Sequence, residues 1–361
     1  MKFFERARLR MEIKEVLWIT LAWMVISVFQ FFYEFSILNQ VMNVFEEVNV
    51  LGFLYVDLIT SFCAGIIGGV VIVFFLEKWL RSRPYGVALV MILITYTLIF
   101  IVVVSIAYSM LHFFQLDVPF FYEEGKALWQ QIFSIEYFRN YIFWLIIVFG
   151  TIIALMVRDK YGPGVFKDFL LGKYFSPKRE ARIFMFLDIR SSTSIAEKLG
   201  EDRYFHFLQE FFKDATSSII YSNGEIYQYV GDEIVVTWKV DYGNLNPKFI
   251  QCFFDIQDTI RQRGHIYQEK YGLIPEFKAG FHYGNVMAGE IGVVKRDIAF
   301  SGDVLNTASR IQNKCNDLGV NILLSKALLD RVALPPHTYQ PKRVGSMVLR
   351  GKQERVILYT L

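Results

Sequence analysis

The chain holds 361 residues, 54% of them apolar and 20% charged, with 38 Lys and Arg against 35 Asp and Glu for a net charge of +3. A soluble domain averages about 45–50% apolar and about 25% charged, so this composition excludes a disordered chain, a collagen-like fibre and a soluble enzyme along the whole length. The small net charge gives no footing for nucleic-acid binding, and three scattered cysteines, Cys63, Cys252 and Cys315, suggest neither a disulfide framework nor a zinc site.

Four apolar runs come first: Val16 to Tyr33, roughly Phe53 to Leu76, Val87 to Met110 and Tyr141 to Met156. A membrane-spanning helix needs about 20 mostly apolar residues, because the hydrocarbon layer is about 30 Å thick. The first three runs meet that length, and the fourth does so with Phe138 and Val157 included. The first run is long, has no small-residue cleavage site and is followed by further spans, so it is not a cleaved signal. No run carries a charge in its interior. Asp57, near the start of the second, is read as an interfacial carboxylate. A transporter or channel would place ionisable groups along its path, so an anchor or sensor is favoured. Gly65, Gly68 and Gly69 allow either close helix packing or mere tolerance of lipid.

Basic residues set the orientation. Lys2, Arg6, Arg8, Arg10 and Lys14 precede the first run, Lys78, Arg81 and Arg83 lie between the second and third, and Arg158 and Lys160 follow the fourth. The other two links carry Lys126 alone, against Glu46, Glu47, Asp117, Glu123 and Glu124. This predicts a multi-pass protein of the cell (inner) membrane with both termini cytoplasmic. The expected domains are a four-span membrane domain over 1–157, a linker over 158–181 and a cytosolic domain over 182–361. In the linker, Gly162-Pro163-Gly164 breaks the helix, and Val165 to Leu171 has helical apolar spacing. That short helix is either a spacer or a dimer contact, with the spacer slightly favoured.

Beyond it, Ile183 to Leu187 predicts a strand ending at Asp188, and Ser191, Ser192 and Thr193 start a helix. Tyr204 to Ile220 predicts an amphipathic helix. Glu225 to Val230 and Glu233 to Trp238 predict a hairpin closed by Gly231-Asp232. Then follow a helix over Phe249 to Tyr271, a strand over Phe277 to Tyr283, a helix over Leu305 to Cys315 and a terminal hairpin from Arg343 to Leu361. Singly, Asp188 and Asp232 read as ordinary turn or cap residues. Brought together they make a hard oxygen site for Mg²⁺ or Mn²⁺. Asn306 and Arg310 are four apart and so share one helix face, an amide and a guanidinium suited to a ribose and a developing phosphoryl charge.

FMFLDIRSST (Phe184 to Thr193), YVGDEIVVTW (Tyr229 to Trp238), KAGFHYGNVMAGEIG (Lys278 to Gly292), GDVLNTASR (Gly302 to Arg310) and LRGK (Leu349 to Lys352) together resemble the class III nucleotide cyclase catalytic domain, over nearly all of 182–361. The fold class is thus expected to be α+β: four transmembrane helices followed by a ferredoxin-like βαβ domain that works as a homodimer, with its sites between subunits. The resemblance implies that Asp188, Asp232 and the carbonyl of Ile189 hold two Mg²⁺ or Mn²⁺ ions. It implies that Arg190, Ser191, Ser192, Thr193 and Lys352 hold the triphosphate, with Arg350 close to the last, and that Asn306 and Arg310 act from the other subunit. The implied activity is a membrane-bound adenylate cyclase in signal transduction, making cyclic AMP and pyrophosphate from ATP. At the purine-reading positions this chain departs from the family. It has Gln228 where adenylate cyclases usually carry Lys, and Ala299 where they carry Asp or Thr, while guanylate cyclases usually carry Glu and Cys. The Gln228 amide can donate and accept, which keeps a guanylate or dual-specificity cyclase as the alternative. A nucleotide-binding module without turnover is disfavoured by the retained metal and transition-state residues, and no catalytic role is expected of His206, His265 or His282.

Overall fold

The computed structural model describes residues 2–42, 50–76, 79, 84–113, 135–161, 168, 171–240, 246–294, 296–335, 337–348 and 355–361. The chain divides near Arg158 into two compact units. The expected helix over Val165 to Leu171 lies almost wholly outside the described residues.

The first unit is a bundle of long helices: α1 (Lys2–Met42), α2 (Val50–Val70, continuing as a π-helical stretch through Leu76), α3 (Tyr85–Phe113) and α4 (Ile135–Tyr161). Each contains a stretch long and apolar enough to cross a membrane: Leu9–Ile37, Val50–Leu76, Gly86–Ala107 and Tyr137–Arg158. Lipid offers no hydrophobic drive for helices to associate, so packing and polar contacts must hold such a bundle. Both are present. A Cβ on Gly65 would lie 2.7 Å from Thr20 Cα, and one on Gly68 would lie 2.6 Å from the Trp23 ring, so these glycines admit α1 against α2. Trp23 Nε1 donates to Thr151 Oγ1 (3.1 Å), Gln30 Nε2 to Asn140 Oδ1 (2.9 Å), and Tyr96 OH to the Tyr141 carbonyl (2.6 Å). Asp57 accepts a 2.5 Å hydrogen bond from Ser27 on α1.

The second unit is built on a mixed sheet of eight strands: β1 (Lys178–Ile189), β2 (Glu225–Val230), β3 (Glu233–Lys239), β4 (Phe277–Ile291), β5 (Asp297–Ser301), β6 (Ile322–Ser325), β7 (Lys342–Val348) and β8 (Arg355–Thr360). Their order is β2-β3-β1-β4-β6-β8-β7, with β5 paired to β4. The β2-β3-β1-β4 portion is antiparallel throughout, and its β-α-β-β-α-β connection is the ferredoxin-like arrangement.

Strand β1 is central and apolar on both faces. Ile183, Met185, Leu187 and Ile189 pack with α6 (Glu201–Tyr221) and α7 (Lys248–Gln262), whereas Phe184 and Phe186 pack on the opposite side with Val304 and Ala308 of α9 (Asp303–Asp317). Alternation therefore puts Asp188 on the α9 face. The remaining helices are α5 (Ser192–Leu199), α8 (Gly264–Tyr271) and α10 (Lys326–Leu329). The single helix expected over Phe249 to Tyr271 is two, α7 and α8. The chain turns at Arg263 so that buried Gly264 meets Ile274, which a Cβ there would approach to 3.0 Å.

Helix α9 lies directly on β4. A Cβ at Gly280 would fall 2.2 Å from the Gln312 amide nitrogen and 2.7 Å from the Ala308 carbonyl oxygen. Both are backbone atoms, so the helix itself would have to move. Gly280→Ala is expected to destabilise the domain by about 2–3 kcal/mol, the upper range for overpacking. Urea unfolding measures it, and an unchanged midpoint would contradict this packing.

Candidate active site

The site forms where β1 ends and the β2–β3 turn folds over it. The β1–β3 register pairs Asp188 with Glu233, and the β1–β4 register pairs Asp188 with Lys278. Directly opposed residues share a sheet face, so Glu233, Asp188 and Lys278 form one row across three strands. Asp232 occupies the two-residue turn just before Glu233 and is half-buried.

Asp232 stands beside Asp188, and burial, then the proximity and charge of Asp232, push the Asp188 carboxyl above the usual range, against the pull of Lys278. Burial and the charges of Asp188 and Asp232 raise Glu233 to about 7. Asp188 Oδ2 accepts Gln312 Nε2 at 2.7 Å and lies 3.1 Å from Lys278 Nζ. Asp232 Oδ2 is buried with no hydrogen-bond partner among the described residues. Two neighbouring carboxylates, one with an orphaned buried oxygen, are the donor set a hard divalent cation takes. Mg²⁺ or Mn²⁺ therefore fits the side chains present.

The turn after β1 opens helix α5. Ser191, its N-cap, has φ 55° and ψ 31°, a left-handed conformation that few side chains adopt. Ser191 and Thr193 are exposed and Ser192 is half-buried. Free N–H groups at a helix start suit phosphate oxygens. Arg190 fits that role poorly. Its amide N–H is taken by the Glu276 carbonyl at 2.8 Å. Its guanidinium is held by Asn316 (2.7 Å), Asn321 (2.8 Å) and the Val320 carbonyl (2.7 Å). Ile189 is buried in the core, which leaves only its backbone for a site.

On α9 the inward face is Val304, Thr307, Ala308, Ile311, Gln312 and Cys315, while Asn306 is exposed and Arg310 half-buried. Among the described residues, no hydrogen bond or ion pair joins Asn306 or Arg310 to the aspartates of the same chain. Gln228 is exposed beside a β-bulge that skips Tyr227, and Ala299 is half-buried on β5, paired with Gly289. The Tyr227 and Phe300 rings, 5.0 Å apart, bring these two strands together. Lys352 and Arg350 lie outside the described residues.

Three further residues stand beside the aspartates without a local sequence signal that places them there. Lys278 and Gln312 reach Asp188 through strand register and helix packing. Tyr204 lies beside Ser192 and Asp232, and burial and the charge of Asp232 raise its hydroxyl. Lys278 opens one of the motifs and Gln312 lies two residues beyond Arg310 on one helix, but neither signal says that they meet Asp188.

The family described as the adenylate and guanylate cyclase catalytic domain matches residues 176–361. Adenylate cyclase 2 of Rhizobium meliloti (strain 1021) is 34% identical over 223 residues, covering 62% of this chain and 61% of that protein. This match is longer than the 176–361 domain and so extends into residues before it. The adenylate cyclase of Anabaena cylindrica is 28% identical over 180 residues, 48% of this chain and 35% of that protein. The chain thus spans about three-fifths of the first relative and a third of the second. Among solved structures, a bacterial light-regulated adenylyl cyclase aligns with TM-score 0.51 at 20% identity, covering 66% of each chain, a likeness of fold.

Proposed function

Because the chain belongs to the family of adenylate and guanylate cyclase catalytic domains, we propose that it is a membrane-bound adenylate cyclase, active as a homodimer in signal transduction. The observation that carries this reading is the juxtaposition of Asp188 at the end of β1 with Asp232 in the β2–β3 turn, with a buried Asp232 oxygen that has no hydrogen-bond partner among the described residues. In the reaction the ribose 3′-oxygen forms a bond to the α-phosphorus and the bond to the β-phosphate bridging oxygen breaks. The 3′-hydroxyl proton passes to solvent and pyrophosphate leaves.

Asp188, Asp232 and the Ile189 carbonyl would hold two Mg²⁺ or Mn²⁺ ions. Such ions supply charge neutralisation at the attacking and leaving oxygens. The N–H groups of Ser191 to Thr193 orient the triphosphate, and Lys352 or Arg350 adds a cation to it. Asn306 orients the ribose and Arg310 stabilises charge on the α-phosphoryl oxygens. Their outward position on α9 suits service to a second copy of the chain. No protein nucleophile is needed.

ATP is favoured as substrate because the two curated relatives above are adenylate cyclases. Gln228 and Ala299 support relaxed purine choice, which keeps a guanylate or dual-specificity cyclase as the second reading. The test is purified protein with Mn²⁺ and either ATP or GTP, read by product analysis; absence of both cyclic products would sink the reading. Gln228→Lys is expected to shift preference toward ATP by about tenfold. A wild-type enzyme that strongly rejects GTP would show that other groups read the purine.

The four apolar helices would anchor the protein in the cell membrane with both termini and the catalytic domain cytoplasmic, the domains being 1–157, 158–181 and 182–361. Protease treatment of sealed vesicles checks this. Cleavage in the 39–52 link from the cytoplasmic side would overturn it.

A further inference from the structure

We propose that Lys278 is a built-in counter-ion of the aspartate pair, which keeps divalent-cation affinity low until a nucleotide arrives; this rests on the reading of Asp188 and Asp232 as cation ligands. Lys278 stands opposite Asp188 on β4, with its ammonium 3.1 Å from Asp188 Oδ2 and its side chain only 7% exposed. Gln312 donates to the same oxygen at 2.7 Å. Asp188, Asp232 and Glu233 gather around this point, and Lys278 is a cation that acts on Asp188 and Glu233.

Buried carboxylates without a counter-charge are strongly destabilising, so Lys278 lets the domain fold with no metal bound. The same charge repels an incoming dication across a few ångströms of poorly solvated space. A triphosphate brings negative charge that outweighs it. Metal and nucleotide should then bind with positive coupling, each raising the affinity of the other by the same factor. Free divalent ions alone would occupy the site weakly, and the domain would load its metals together with substrate.

The test measures Mn²⁺ binding to the full-length protein in detergent by the electron paramagnetic resonance of free Mn²⁺, with and without 3′-deoxy-ATP, which cannot cyclise. Lys278→Met, and Lys278→Gln as a second neutral variant, are expected to bind Mn²⁺ without nucleotide at least about tenfold more tightly than wild type, from removal of one nearby charge in a medium of intermediate dielectric. The enhancement of Mn²⁺ affinity by 3′-deoxy-ATP should shrink in both. Lys278→Arg should keep the wild-type affinity. Without metal both neutral variants should melt below wild type, and Mn²⁺ should raise their melting temperature more than it raises that of wild type. Equal or weaker Mn²⁺ binding in the neutral variants would overturn the counter-ion role. So would neutral variants that stay unfolded in saturating Mn²⁺, since the ion should replace the lost charge. Asp232→Ala separates the two levels. If it leaves Mn²⁺ binding unchanged, the cation-site reading fails and this inference with it. If it weakens binding while the Lys278 variants show no gain, only the counter-ion role fails.

Discussion

Asp188→Ala and Asp232→Ala are each expected to lower cyclic nucleotide formation by about 10³-fold or more. Removing a single preorganised charge-stabilising group from an enzyme costs about 10²–10³-fold, and each aspartate would support ions acting on both the attacking and the leaving oxygen. The two variants should differ in stability. Asp232 offers a buried oxygen with no hydrogen-bond partner among the described residues and a like charge against Asp188. Its removal relieves repulsion, so Asp232→Ala should fold at least as well as wild type in the absence of metal. Asp188 is the acceptor for Gln312 and the ion-pair partner of Lys278. Its removal strands a buried ammonium, and breaking a buried pair costs about 3–5 kcal/mol. Asp188→Asn, which keeps an acceptor, should recover part of that stability but not the activity. Urea unfolding of metal-free protein and a cyclase assay with Mg²⁺ together check this. Near wild-type turnover by either alanine variant would remove the metal assignment.

Arg310→Ala should lower turnover by about 10²-fold or more, and its loss should be repairable in trans. If Asp188 and Asp232 act from one subunit and Asn306 and Arg310 from the other, an Asp232→Ala chain paired with an Arg310→Ala chain has one cleft carrying both defects and one carrying neither. Equal expression with random pairing makes about half the dimers mixed, so about a quarter of wild-type activity is the ceiling for a two-fold symmetric dimer. Confinement to a membrane raises the effective concentration for pairing. The motivating geometry is the outward flank of α9, where Asn306 is exposed while Gln312 on the inward face reaches Asp188. Co-expression followed by a cyclase assay decides it. No recovery, with mixed dimers shown by pull-down, would mean that the site is built within one subunit.

The four long apolar helices, the hairpin that carries Asp232 and the positions of Asp188, Asn306 and Arg310 were determined by the sequence alone. Each depends on a local signal: an apolar run of bilayer length, a Gly-containing two-residue gap between strand-like runs, or a motif quoted as it stands. What needed partners distant in the chain was decided only by the tertiary structure. Strand β1 begins at Lys178 rather than at Ile183, because Glu180 and Arg182, which look like solvent residues in KREAR, are buried as a pair. Arg182 Nε is 2.8 Å from Glu180 and Nη1 is 2.7 Å from Glu225 on β2, with Tyr174 OH between them. A buried charge is tolerable when it is paired and hydrogen-bonded, and such pairing cannot be seen in a hydropathy pattern. Strands β5 and β6 carry no local signal for a related reason, being short and defined by their pairing, β5 with β4 and β6 with β4 and β8. The surroundings of Asp188 came last. Lys278 is its neighbour through strand register and Gln312 through the contact that Gly280 permits. A shift of one residue in register would turn these side chains to the other face, so only the assembled sheet determines which charge stands beside the aspartates.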